Sequence, residues 1–193
     1  MKTILQLLVA AALALPVSAA TIQYQFTVLT GGLSGTGLIE WSLLPSPGAL
    51  AVTAAISDEV YTGGTAGAYT AIGDASAPPA VLGNTTGDNR VQRAISNFGS
   101  QISFLVTLDG PGVDAGALEG TTFSFSLLDD AGINPATGLA DGLMAQIDMG
   151  IDPALLTINP ANDRIVTSSP IPEPSTFGLA GVALFLLARL RRR

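Results

Sequence analysis

Between positions 21 and 168 the chain is written largely in a two-residue alternation of apolar and polar side chains. Ile22, Tyr24, Phe26 and Val28 alternate with Gln23, Gln25 and Thr27, the pattern of a strand with one dry face and one wet face. Gly31, Gly32, Gly35 and Gly37 then mark a turn. Ile39, Trp41 and Leu43 share the next apolar face opposite Glu40 and Ser42, until Pro45 and Pro47 end the run. Leu50, Val52, Ala54 and Ile56 predict a third strand. Residues 61–89 are rich in Gly, Ala, Thr and Pro and read as the most loop-like region. The stretch from Val91 to Phe98 is too brief to assign.

Alternation returns at Ile102, Phe104, Val106 and Leu108, which run into the turn Asp109-Gly110-Pro111-Gly112. Phe123, Phe125 and Leu127, and then Leu143, Ala145, Ile147 and Met149, repeat it. Short strands are expected at Leu155 to Ile158 and Arg164 to Thr167. About nine short strands separated by Gly, Pro and Asp turns, with no long helical period, predict an all-β fold: a single antiparallel β-sandwich or jelly-roll-like domain.

Both ends of the chain break this pattern. Met1, Lys2 and Thr3 precede an apolar run from Ile4 to Leu15 and then the small residues Val17-Ser18-Ala19-Ala20. That order reads as a signal peptide over 1–20, cleaved after Ala19 or Ala20 by signal peptidase. At the other end, residues 169–193 fall into three parts. Pro172-Glu173-Pro174 lacks two backbone donors and favours extended geometry. An uncharged apolar run follows, containing Phe177, Leu179, Val182, Leu184, Phe185, Leu186 and Leu187. The chain closes on Arg189, Arg191, Arg192 and Arg193. A membrane span needs ~20 apolar residues, so this shorter run predicts a transmembrane helix helped by its flanks. The arginines would stop the helix on the cytoplasmic side. The domain organisation is thus 1–20 signal peptide, 21–168 β-sandwich ectodomain and 169–193 tail.

The tail resembles the PEP-CTERM sorting tail of bacterial proteins processed by exosortase. The resemblance rests on Pro172-Glu173-Pro174, Ser175, the apolar run and the arginine end, in that order at the C-terminus. It implies that Pro172, Glu173 and Pro174 are recognised by an envelope protease, exosortase, which cleaves nearby. The precursor would be anchored in the inner membrane and then pass to the cell surface, outer envelope or extracellular matrix. A softer resemblance runs through ATIQYQFTV, LSGTGLIEW, FSFSLLDDAG and ADGLMAQIDM, which look like a group of uncharacterised PEP-CTERM surface proteins. It implies one β domain and no particular activity. Some names in the wider family concern ice binding, but the sequence has no regular Thr array that would support that function.

Composition narrows the chemistry. Arg90, Arg93 and Arg164 are the only basic residues between the two ends, against fourteen acidic ones, a formal balance of −11. That field repels phosphate backbones and excludes nucleic acid as a partner class. The absence of Cys and His removes disulfides, the Ser-His-Asp arrangement and His-ligated zinc. No catalytic residue is assigned. Asp129, Asp130, Asp141 and Asp148, joined by Asp152 and Asp163, are weak Ca²⁺ candidates, because oxygen ligands on strand-end loops suit that ion. Asp as a turn former through its own backbone bonds is the favoured reading, so no cofactor is expected.

Glu40 with Glu119 or Asp130 could form the carboxylate pair of a glycoside hydrolase, though solvated surface charge explains them better. Trp41, Tyr61 and Tyr69 could stack on sugar. Trp41 shares a face with Ile39 and Leu43 and reads as core; Tyr61 and Tyr69 are the better pair. Asn84-Thr85-Thr86 has the form of a glycosylation acceptor and reads as chance. The sequence therefore predicts an exported surface or matrix protein of a structural or adhesive kind, not an enzyme. The alternative is an exopolysaccharide-binding module.

Overall fold

The structure, a computed structural model, describes residues 21–113, 120–150, 155–161, 164–167 and 170–171. Its strands are β1 (Thr21–Leu29), β2 (Gly37–Pro45), β3 (Thr53–Thr62), β4 (Thr65–Ile72), β5 (Ala75–Ser76), β6 (Ala80–Gly83), β7 (Asn89–Asn97), β8 (Gln101–Asp109), β9 (Thr121–Leu128), β10 (Leu143–Met149), β11 (Leu155–Ile158), β12 (Ile165–Thr167) and β13 (Pro170–Ile171). They form two antiparallel sheets. The first runs β12-β1-β8-β3-β6-β5, with β13 also on β1, and the second runs β11-β10-β9-β2-β7-β4. Apolar alternation drives this arrangement, since each sheet has one face that must leave water and can do so only against the other.

The inner faces are those the alternation names. Tyr24, Phe26 and Val28 of β1, Ile39, Trp41 and Leu43 of β2, Ile102, Phe104, Val106 and Leu108 of β8 and Phe123, Phe125 and Leu127 of β9 are buried. Phe104 sits at the centre, with its ring 5.5 Å from Phe26, 5.1 Å from Phe125 and 5.6 Å from Trp41. Two of these contacts are edge-on, the orientation that aligns a ring's positive rim with its neighbour's negative face. Burying each such ring contributes about 2–3 kcal/mol. On the outside of the first sheet, Gln23, Gln25 and Thr27 lie opposite Thr107, Leu105 and Ser103.

Two expectations change. Residues 61–89 are not a long loop: they hold β4, β5 and β6. β4 is an edge strand with mostly exposed side chains, so it is held by its main-chain ladder to β7 and leaves no apolar alternation to read. The segment after Val91 belongs to β7, whose Val91 and Ile95 are core. Leu50, expected on the third strand, lies before β3 and is 46% exposed. The signal peptide and the tail helix fall outside the described residues, and no helix among those described is long and apolar enough to cross a membrane.

The strand directions sort the loops into two ends. Thr21 opens β1 opposite Asp109, which is also opposite Thr53. This near end includes loop 84–88. At the far end, Leu29 faces Gln101, and loops 30–36, 98–100 and 129–142 gather there. The last described strand, β13, runs antiparallel to β1, with Pro170 opposite Tyr24 and Ile171 opposite Gln23. It therefore heads towards the near end.

Candidate functional site

A polar group of two tyrosines, a glutamate and an arginine lies between the sheets, built by two strand irregularities. On β3, Ser57 faces Leu105 and Val60 faces Ser103, so the strand carries one extra residue there. Asp58 takes up the irregularity at φ 52°, a left-handed conformation that Asp tolerates better than most side chains. The extra residue switches the inward phase. Ala54 and Ile56 face the core before it, and Tyr61, opposite the buried Ile102, faces inward after it. Glu59 moves into the same phase, and its side chain retains only 9% exposure. β4 has a matching irregularity between Ala66 and Tyr69. Arg93, between Val91 and Ile95 on β7, occupies a core-phase position of the second sheet, opposite Tyr69.

A cation in that phase needs a countercharge, and Glu59 supplies it from the other sheet. Arg93 Nη1 donates to Glu59 Oε2 at 2.7 Å and also to the Tyr69 hydroxyl at 2.8 Å. The Tyr61 hydroxyl donates to Glu59 Oε2 at 2.6 Å, and Tyr69 donates to Oε1 at 2.5 Å. The guanidinium carbon lies 5.1 Å from the Tyr61 ring centre and 4.5 Å from that of Tyr69, within cation–π range. Burial, and then the hydrogen bond to Glu59, push the Tyr61 phenol well above its ordinary value, and the same causes push Tyr69 up to about 12. Burial opposes the charge on Arg93, but the Glu59 hydrogen bond and the neighbouring charges hold its pKa above the usual value.

Both oxygens of Glu59 are engaged and both tyrosines face Arg93, so this group offers neither an open carboxylate nor an open aromatic platform. Tyr61 and Tyr69 do come together, as the sugar-stacking reading required, but around a cation of the chain itself. Glu59 and Arg93 carried no assignment in the sequence. The legible signal was an arginine in phase with Val91 and Ile95.

The other candidates are scattered. At the far end, Asp129 accepts bonds from the Ile133 and Asn134 amides and from Asn134 Nδ2. The Asn134 side-chain bond, followed by the amide of Ile133, holds its carboxyl below the ordinary range. Asp130 accepts from the Thr36 hydroxyl, and Asp141 from the Leu143 amide and Asn159 Nδ2. Among the described residues no three potential metal-ligating side chains converge.

Glu40 lies on the outer face of the second sheet, where it accepts from Gln92 at 2.7 Å and pairs with Arg90 at 3.4 Å; Glu119 is outside the described residues. Trp41 is fully buried. Asn84 spends its side chain internally, accepting from the Val52 amide and donating to Leu50 O and Thr121 Oγ1.

The sequence-predicted processing residues frame the domain. Ala19 and Ala20, Pro172, Glu173 and Pro174, the anchor residues from Phe177 to Leu187 and the terminal arginines all lie outside the described residues. The described chain reaches them from the near end: Thr21 follows Ala20 directly, and Ile171, paired with Gln23, precedes Pro172 directly. Residues 170–193 match the family model of the PEP-CTERM protein-sorting motif. No curated protein and no solved structure matches the chain.

Proposed function

We propose that this chain, carrying a PEP-CTERM sorting motif and delivered as an exosortase substrate through a membrane-anchored precursor, serves as a structural or adhesive component of the cell surface or extracellular matrix. The observation that carries the reading is the match over residues 170–193, which marks the chain for export and exosortase processing. The domain's own chemistry supports a scaffold role. Its large aromatic residues fill the core, its Tyr61 and Tyr69 hydroxyls are tied to Glu59, and Asp129 and Asp130 of its far-end loop are engaged by the chain's own amides and the Thr36 hydroxyl. Such a domain is recognised by its stable surface, with no reaction of its own. A glycan-binding reading would need an aromatic face left open, and the tyrosine pair is turned onto Arg93.

The test is the intact mass and location of the mature protein in its native host. The expected product lacks Met1 to Ala20 and the residues beyond Pro174 and is recovered in the surface or matrix fraction. Exchanging Glu173→Ala should leave a longer, membrane-bound form. A mature chain that retains Arg193 would overturn the reading, as would one found in the cytoplasm with both ends intact.

A further inference from the structure

Because β13 is laddered to the start of β1, the sorting tail leaves the sandwich at the near end, beside Thr21. We infer that this end faces the bilayer in the anchored precursor and that loops 30–36, 98–100 and 129–142 form its outward, partner-accessible surface. The inference rests on the reading of the tail as a membrane anchor.

Lengths decide it. Only residues 172–176 separate Ile171 from the apolar run at Phe177. The six steps from Ile171 to Phe177 reach at most about 21 Å fully extended. β1 has nine residues and so spans ~30 Å from the near end to the far end. Standing the sandwich on its far end would lift Ile171, which is opposite Gln23 and six residues short of Leu29, by ~20 Å, and the headgroup layer adds ~5–7 Å, a span beyond the reach of the leash. Lying flat is opposed by charge: the domain carries a balance of −11, and a bilayer rich in anionic lipid repels it. Pro172 and Pro174 stiffen the short connection further. The β13–β1 pair is what makes the leash short. If it opened, the tether would begin at β12, several residues earlier and higher on the sheet. Gln23 and Tyr24 are therefore positioning residues for the sorting tail, acting through the strand they hold.

The chain has no cysteine, so single labels can be placed cleanly. Gly87 in near-end loop 84–88 has open space where a Cβ would project, and Ile133 in far-end loop 129–142 is 78% exposed. The full-length chain, as Gly87→Cys or Ile133→Cys, is labelled with a donor dye and reconstituted into phosphatidylcholine–phosphatidylglycerol vesicles carrying a headgroup acceptor dye. Energy transfer from position 87 should exceed that from position 133 by at least about twofold, as a ~30 Å separation along the strands requires. Inserting about six Gly/Ser residues between Ile171 and Pro172 lengthens the leash enough to allow inversion, and the contrast should then shrink. Equal transfer from both positions in the unextended chain overturns the inference, and so does a contrast that the insertion leaves unchanged. A chain that fails to float with the vesicles overturns the anchor reading itself.

Discussion

Arg93 and Glu59 belong to different sheets, and the 2.7 Å bond between them is a polar cross-link through the side of the sandwich. Each is tolerated there only because of the other. Arg93→Met strands a nearly buried carboxylate with two phenols aimed at it and should cost about 2–3 kcal/mol, less than the ~3–5 kcal/mol of a fully buried pair because the guanidinium keeps 22% exposure. Glu59→Gln retains an acceptor and should cost about 1–2 kcal/mol. Denaturant midpoints followed by the single, buried Trp41 measure both. The double variant Glu59→Met/Arg93→Met should lose clearly less than the sum of the single losses. Additive losses would show that the two side chains do not act as a pair.

The tyrosines predict alkaline behaviour. Tyr24, Tyr61 and Tyr69 are all the tyrosines of the chain, and burial raises each of them. Between the ordinary value of 10 and the value of about 12 for Tyr69, the folded chain keeps protons that the unfolded chain has lost. The tyrosines' contribution to stability should therefore be constant below pH 10 and fall as pH rises from 10 towards 12. In phenolate absorbance, native protein should show almost no titration at its start, whereas denatured protein titrates normally. A native curve that follows the denatured one would remove the buried hydroxyl network.

Phe104 is the aromatic residue on which Phe26, Phe125 and Trp41 converge, so Phe104→Ala opens a cavity that these three side chains line. A loss of about 3–5 kcal/mol is expected, together with a shift in Trp41 emission. The neighbouring Leu105 points to the outer face, and Leu105→Ala should cost under about 1 kcal/mol. Equal losses at the two positions would mean that burial does not distinguish the two faces of β8.

Gly37, at the start of β2, is small for reasons of space. A Cβ there would approach Leu128 O to 2.3 Å and the Phe98 ring to 2.8 Å. Gly37→Ala should destabilise by about 1–3 kcal/mol, because a strand and a core ring must both move. Gly87→Ala, where nothing lies within 4 Å, should be neutral or slightly stabilising. Melting temperatures of the pair check this, and a neutral Gly37→Ala would contradict the close β2–β9 approach.

Local pattern and long-range placement were legible to different degrees. β1, β2, β8, β9 and β10 could be read directly because each has one dry face, so burial prints a two-residue period. β4 could not, because an edge strand of Gly, Ala and Thr is held by its backbone. The second half of β3 was hidden by its bulge: Asp58-Glu59-Val60 looks like a polar strand end until the extra residue reverses which side chains face inward. Glu59 and Arg93 are separated by 34 residues, and no spacing rule links a carboxylate to an arginine across two sheets. The sorting tail is the converse case. Its meaning lies in the order of its residues and was readable from the sequence.

The order of the strands also has a consequence in time. Thr21 of β1 bonds to Asp109 of β8, 88 residues later, and the other edge of β1 is closed only by β12 and β13, at the end of the domain. The first strand to emerge must therefore wait some 88 residues for a ladder on one side and for the end of the domain before it has one on both. Closing so long a loop before its contacts form makes folding slow, and Tyr24, Phe26 and Val28 stay open to wrong partners meanwhile. Refolding should consequently be much slower than in a sandwich of the same size built from successive hairpins, and a chain truncated before β8 should aggregate instead of forming half a domain.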